Sequence, residues 1–145
     1  MNLNKTTDYA IRVVLCLGKK RVLKSKEISE ETSIPERYLA RVLTKLKDAD
    51  IVESTRGQNG GYALKKEWYE IELIDIIKTT EVSININRFT DCQDTKNQLK
   101  SYHHIQEYFN KVQNDIESNF SITIQDIINN YCAFYFLCIL DFFLP

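Results

Sequence analysis

Few side chains in this sequence are spaced for covalent or metal chemistry. The four cysteines are Cys16, Cys92, Cys132 and Cys138. No two form a C-x-x-C pair, so neither a zinc knuckle nor a thioredoxin-type dithiol is written here. Met1 to Asp8 is polar and carries no secretion or lipidation signal, which leads us to expect reduced thiols in a cytoplasmic protein. Cys16 falls in an apolar helical pattern and reads as core packing. Cys92 lies in the polar run Arg88-Phe89-Thr90-Asp91-Cys92-Gln93. It has two readings, a redox-responsive thiol or an inert surface cysteine. Cys132 and Cys138 share a face if 131–140 is a strand and do not if it is a helix. His103 and His104 are adjacent, so on a helix they point apart and read as surface or interface residues rather than as a ligand pair. No metal site is expected. No nucleophile elbow, phosphate-cradling glycine loop or zinc-protease motif is present, so an enzyme is not expected either.

The chemistry that the sequence does write is electrostatic. Residues 1–66 carry 14 Lys and Arg against 8 Asp and Glu, a balance of +6, whereas residues 67–145 carry 5 against 12, a balance of −7. The two sum to the net charge of −1. Either the first half faces a polyanion or this is ordinary surface charge. Three features favour DNA when taken together. A helix beginning at Pro35 turns Glu36, Arg37, Ala40, Arg41 and Lys45 away from the apolar stripe of Tyr38, Leu39, Val42, Leu43 and Leu46. Residues at the start of such a helix reach base edges, where Arg can bridge guanine and a small Ala permits close approach. Pro35 and Tyr38, at that start, join the DNA-facing set. A second feature is the turn Arg56-Gly57-Gln58-Asn59-Gly60-Gly61, which puts one arginine on a tight tip beside Gly57, Gly60 and Gly61; such an arginine can enter a narrow minor groove. Finally, Lys5, Lys24, Lys26 and Lys47 offer phosphate contacts.

These residues need elements to hold them. Gly and Pro are scarce, four and two in 145 residues, which suits a helix-rich protein with short connections. A first helix, capped by Thr6 or Thr7, runs to about Lys19 with Tyr9, Ala10, Val13, Val14 and Leu17 on one face. Ser25 opens a short helix carrying Ile28, and the helix from Pro35 runs to about Asp48. The apolar runs 51–54 and 62–64 flank the glycine-rich turn as a β-hairpin. The order is that of a winged helix-turn-helix. The fold class expected is therefore mainly α with a small β-hairpin wing. One more helix is read at 71–77, closing a domain at residue 80. Residues 81–96 read as a linker or sensor loop.

From 97 to 118, Leu99, Tyr102, Ile105, Phe109, Val112 and Ile116 recur every three or four residues. This helix of about 30 Å is long enough to bridge two subunits as a dimer interface. A short helix follows at 123–130. The tail Tyr131–Leu144 has Asp141 as its one charge. It is too short for a membrane span and is expected to be buried against the long helix or a second subunit.

The run Thr7-Asp8-Tyr9-Ala10-Ile11-Arg12, then Lys26-Glu27-Ile28, Tyr38-Leu39, Lys45-Leu46 and Arg56-Gly57-Gln58-Asn59-Gly60-Gly61-Tyr62, resembles the Rrf-two family of bacterial winged-helix transcription regulators, which includes the IscR, NsrR and CymR types. The likeness is strong over residues 1–80 and looser over 81–130, where Ser121 to Ile128 is similar to the family's helical ending. The resemblance implies a homodimer held by the long helix, with two winged domains on one face of double-stranded DNA, and the function expected is that of a repressor on a pseudo-palindromic operator. It implies that Pro35–Lys47 reads bases and that Arg56 enters the minor groove. Where many members carry Glu after the Tyr-Leu pair this chain has Ala40, so operator preference does not carry over. Many members also hold an iron–sulfur cluster through three cysteines between the winged domain and the long helix. Here only Cys92 stands in that window and Phe89 occupies the place of a first cysteine, so no cluster or other cofactor is expected. A protein-interaction module with little DNA affinity is the alternative reading.

Overall fold

The computed structural model describes residues 3–19, 22–86 and 100–130. The expectations for Cys92, Leu99 and the tail from Tyr131 lie outside these residues. So does most of the linker, and nothing is described of the Tyr102 side chain.

Helix α1 (Lys5–Lys19) buries Thr7, Ala10, Val13, Val14, Cys16 and Leu17, with Tyr9 packed at the edge of the core. Its cap is Asn4 rather than a threonine: the Asn4 Oδ1 accepts from the backbone N–H groups of Thr6 at 2.7 Å and Thr7 at 3.1 Å. Thr7 is buried inside, and its hydroxyl is 2.8 Å from that of Thr80. Helix α2 (Ser25–Thr32) presents Ile28 to the core and ends at Ser33, which takes the left-handed conformation at φ 57°. That residue and the following Ile34-Pro35 turn the chain sharply into α3 (Glu36–Asp48). Pro35 has no N–H to leave unsatisfied at a helix start.

Helix α3 buries Leu39, Val42, Leu43 and Leu46 completely or nearly so. Each such side chain contributes about 1.5–3 kcal/mol on burial, so the stripe rather than helix propensity holds α3 in place. Tyr38 departs from the expected stripe. It is 45% exposed because one residue before Leu39 already rotates it off the core and onto the helix's flank.

Strands β1 (Val52–Thr55) and β2 (Gly61–Leu64) pair antiparallel, Val52 with Leu64 and Thr55 with Gly61. Leu23 adds a third pairing, unforeseen from the sequence: its N–H donates to Tyr62 at 3.0 Å and its carbonyl accepts from Tyr62 at 2.8 Å. A Cβ on Gly61 would stand 2.5 Å from the Leu23 carbonyl oxygen, so this approach needs glycine. A 3-10 turn, Trp68–Glu70, lays the Trp68 indole on Gly18 of α1 so closely that a Cβ there would meet the ring.

Helix α4 (Leu73–Thr80) buries Ile74, Ile76 and Ile77. The long helix α5 (Lys100–Phe120) has 21 residues and therefore spans about 30 Å. It is fastened to the rest at several points. Lys78 and Glu117 form an ion pair at 3.2 Å, and the Gln113 side-chain oxygen accepts from the Ile86 N–H at 3.0 Å. After α5 the chain returns to the winged domain. Leu73 N–H donates to the Ile122 carbonyl and Ile124 N–H to the Ile71 carbonyl, both at 2.9 Å. Ile124 is buried, and Ile128, within a helix α6 described over 124–130, packs against the same core. The core of the N-terminal unit thus draws on residues well beyond position 80.

Candidate nucleic-acid interface

The face of α3 opposite its core stripe carries Glu36, Arg37, Ala40, Thr44 and Lys47, all exposed. At 3.6 residues per turn, positions 37, 40, 44 and 47 line up along the helix. Thr44 was not singled out from the sequence, although its place four residues after Ala40 is a signal for it. Its hydroxyl donates back to the Ala40 carbonyl at 2.9 Å.

Lys45 is a correction. The sequence placed it with the outward set, but it is half-buried and its ammonium donates to the carbonyls of Thr79 at 3.4 Å and Thr80 at 3.2 Å. These are among the last carbonyls of α4, which have no partner within their own helix. A cation there also suits the helix dipole. Lys45 is thus a cap for α4, not a member of the exposed face.

The flank of α3 beside α1 is aromatic and cationic. The Arg37 guanidinium carbon lies 4.6 Å from the centre of the Tyr38 ring, and Nη2 donates to the Tyr38 hydroxyl at 3.2 Å. Tyr9 of α1 tilts against Tyr38 with ring centres 6.3 Å apart. Arg41 lies on this flank too, across a cleft from Lys5.

At the hairpin tip Arg56 is exposed. Gly57 adopts φ +113°, a conformation that side chains disfavour, and its carbonyl accepts from Gly60 N–H at 3.0 Å to close the turn. A Cβ on Gly60 would lie 2.3 Å from the Thr55 carbonyl oxygen. Contacts within the protein, to Thr55 for Gly60 and to Leu23 for Gly61, thus already require glycine at both positions.

Among the described residues some cations away from this surface are paired, although Lys19, Lys66 and Lys111 are not. Arg12 pairs with Asp8 at 2.9 Å, Lys65 with Asp50 at 2.7 Å and Lys78 with Glu117 at 3.2 Å. By contrast Lys5, Lys24, Lys26, Arg37, Arg41, Lys47 and Arg56 make no ion pair among the described residues. Lys24 sits at the N-cap of α2, where its N–H donates to Glu27 at 2.6 Å. Cations left uncompensated make a positive surface that attracts polyanions.

Behind the surface, Glu81 ties α1 to the end of α4. Its carboxylate accepts from the Asn4 backbone N–H and the Asn4 side-chain amide, each at 2.8 Å, and from the Thr7 hydroxyl. The Thr7 hydroxyl first, then the Asn4 amide, hold this carboxyl below its ordinary range.

On α5, Ile105 is 52% and Tyr108 65% exposed, while Phe109, Val112 and Ile116 are half-buried. His103 and His104 lie beside Glu107 at 3.3 and 3.7 Å. Cys16 is buried in α1, its Sγ 3.5 Å from Glu31 Oε2.

Comparison with known proteins adds to this geometry. The Rrf2 family model, described as an iron-dependent transcriptional regulator, matches residues 3–130. The chain is 31% identical over 102 residues to the transcriptional regulator NsrR of Bacillus subtilis, covering 68% of each chain. It is 38% identical over 84 residues to NsrR of Oceanobacillus iheyensis, covering 56% of this chain and 57% of that one. It is also 36% identical over 85 residues to protein aau3 of Rhizobium meliloti, covering 57% and 55%. The matched regions thus span little more than half the length of the last two. Among solved structures, CymR, the global cysteine regulator of B. subtilis, superposes with TM-score 0.70 at 22% identity, covering 90% of this chain and 98% of that one. IscR of T. potens gives TM-score 0.68 at 24% identity, covering 90% and 88%. These likenesses carry the winged-helix architecture with its long helix, and the match of the family model over nearly the whole of the described chain carries the kinship. The chain belongs to the Rrf2 family of transcriptional regulators.

Proposed function

We propose that the protein is a sequence-specific DNA-binding regulator that acts as a homodimeric repressor on a pseudo-palindromic operator, in the cytoplasm and without catalytic activity. The observation that carries this reading is the set of uncompensated cations shared by the exposed face of α3 and the hairpin tip. In this reading Arg37, Ala40 and Thr44 would meet base edges in the major groove and Arg56 would enter the adjacent minor groove. Lys5, Lys24, Lys26 and Lys47 supply contacts to phosphates. Among the described residues no helix is long and apolar enough to cross a membrane.

The donor set does not suit a cluster of the family's kind. One cysteine, Cys92, stands between the winged domain and the long helix, and Cys16 lies in the domain core. Clusters are held chiefly by several thiolates. We propose that regulation here proceeds without one.

Selection of bound fragments from the source genome, followed by salt titration, tests the reading. Wild type is expected to select a partly symmetric site with a steep salt dependence. Arg56→Ala should weaken that site by about tenfold or more while leaving the melting temperature unchanged. Finding no preferred fragment, together with a stable complex with another protein through Arg37 and Arg56, would replace DNA regulation by protein binding.

A further inference from the structure

We propose that the cleft between the start of α1 and the flank of α3 seats one phosphodiester of the DNA backbone, with Lys5 and Arg41 as its cationic walls. The proposal rests on the DNA-binding reading above and reassigns Arg41 from base reading to backbone anchoring. The cleft has a volume of about 220 Å³ and is lined by Lys5, Thr6, Tyr9, Tyr38, Arg41 and Val42. No carboxylate is among them. The nearest acid on the α1 sequence, Asp8, is already spent on Arg12.

The donors in the cleft can be followed one by one. The N–H groups of Thr6 and Thr7 are taken by the Asn4 side chain, so these two amides of the helix start are not offered to the cleft. What remains is side-chain chemistry. Lys5 and Arg41 are exposed and have no anionic partner among the described residues. The Tyr38 hydroxyl accepts from Arg37, which leaves its own hydrogen to donate to an anion. Thr6 contributes another hydroxyl. Two cations with neutral donors between them match the several acceptor oxygens of a phosphate, and an Arg fork suits such oxygens particularly well.

The position of the cleft argues for a duplex. Arg41 stands one residue along from Ala40 on the exposed face, so a base-reading α3 brings the flanking backbone against this flank. The two walls belong to different helices, whose relation is set from behind by Lys45 on Thr80 and by Thr7 on Thr80. A phosphate seated here would therefore fix the angle at which α3 enters the groove.

A neutral backbone substitution gives the test. The selected operator fragment is made with methylphosphonate at each flanking position in turn, and binding is read by fluorescence anisotropy with wild type, Lys5→Ala, Arg41→Ala and Arg41→Lys. One position is expected to cost wild type about tenfold at 0.1 M salt and to cost Lys5→Ala and Arg41→Ala almost nothing further. Each Ala variant should lower the salt slope by about one and weaken operator and random duplex equally. Arg41→Lys should keep the slope. Relaxed sequence preference in Arg41→Ala would show a base contact and overturn the assignment. So would methylphosphonate penalties that are the same in all four proteins. A melting-temperature rise in inorganic phosphate over chloride at equal ionic strength, lost in Arg41→Ala with DNA binding intact, would assign the cleft to a free anion instead. If wild type itself prefers no operator, the parent reading fails and this one falls with it.

Discussion

Lys45 stands in the last part of α3 with its ammonium 3.2 Å from the carbonyl oxygen of Thr80, the final residue of α4. This contact joins α3 to the point where the chain leaves α4 toward the long helix. Lys45→Met keeps the aliphatic stem and removes the donor. It is expected to lower stability by about 1 kcal/mol, from the lost hydrogen bonds and dipole interaction together. Urea unfolding measures this. An unchanged midpoint with altered operator preference would return Lys45 to the DNA-facing set.

Gly18 and Trp68 give a packing prediction. A methyl group at Gly18 would overlap the indole ring outright. Gly18→Ala is therefore expected to destabilise by about 1–3 kcal/mol, the usual range for overpacking. Trp68 is the chain's one tryptophan, so its fluorescence reports the displacement directly. Trp68→Leu in the Gly18→Ala background should recover part of the loss, and failure to recover would remove the steric explanation.

Glu81 predicts an acid dependence of definite sign. Its carboxyl is held below the ordinary value of 4.5 by Thr7 and Asn4 in the folded protein. The stabilisation is present above the unfolded-state value and is lost as pH falls through the lower folded value. Wild type and Glu81→Gln should therefore differ most above the ordinary carboxylate value and converge as pH falls through the lower folded value. Asp50, lowered by Lys65, and Glu117, lowered by Gln113, act in the same direction. The difference between the two proteins, not the total acid loss, is the quantity to read.

Ile105 tests the pairing of long helices. It is half exposed on α5, in register with Phe109, Val112 and Ile116. Ile105→Glu would place a charge in an apolar seam, and light scattering should show a shift from dimer toward monomer. The full-length variant should keep its helical signal, since the domain core lies elsewhere. A dimer unaffected by Ile105→Glu and by Val112→Asp would exclude this face as the interface.

Much of the winged domain was legible because its signals are local. The stripe of Leu39, Val42, Leu43 and Leu46 repeats at helical spacing, and the glycines from 57 to 61 mark a turn whatever surrounds them. The long helix was legible for the same reason: its periodicity marks 97–118, and α5 occupies Lys100–Phe120 of the described residues. Features made by distant contacts were not legible. Leu23 joins the hairpin through a single bridge, too short to leave a pattern. Lys45 lies near the boundary between outward and lateral positions of its helix, and only the approach of Thr79 and Thr80 decides which it is. Tyr38 looked apolar by type, yet its angle on α3 puts it beside Arg37. The return of residues 122–124 to residues 71–73 depends on a connection of some fifty residues and carries no sequence mark of its own.

That return gives α5 a mechanical character. The helix is clasped to α4 by Glu117 on Lys78 and to the segment after α4 by Gln113 on Ile86, and is then sewn to the start of α4 through Ile122 and Ile124. In the proposed pair each reading head would be rigidly continuous with its own arm, like the two jaws of a caliper locked at one gape. Inserting a single base pair at the operator's centre turns one half-site by about 35° relative to the other. Arms fastened in this way would resist following it, so tolerance to spacer length should be poor even where both half-sites are perfect.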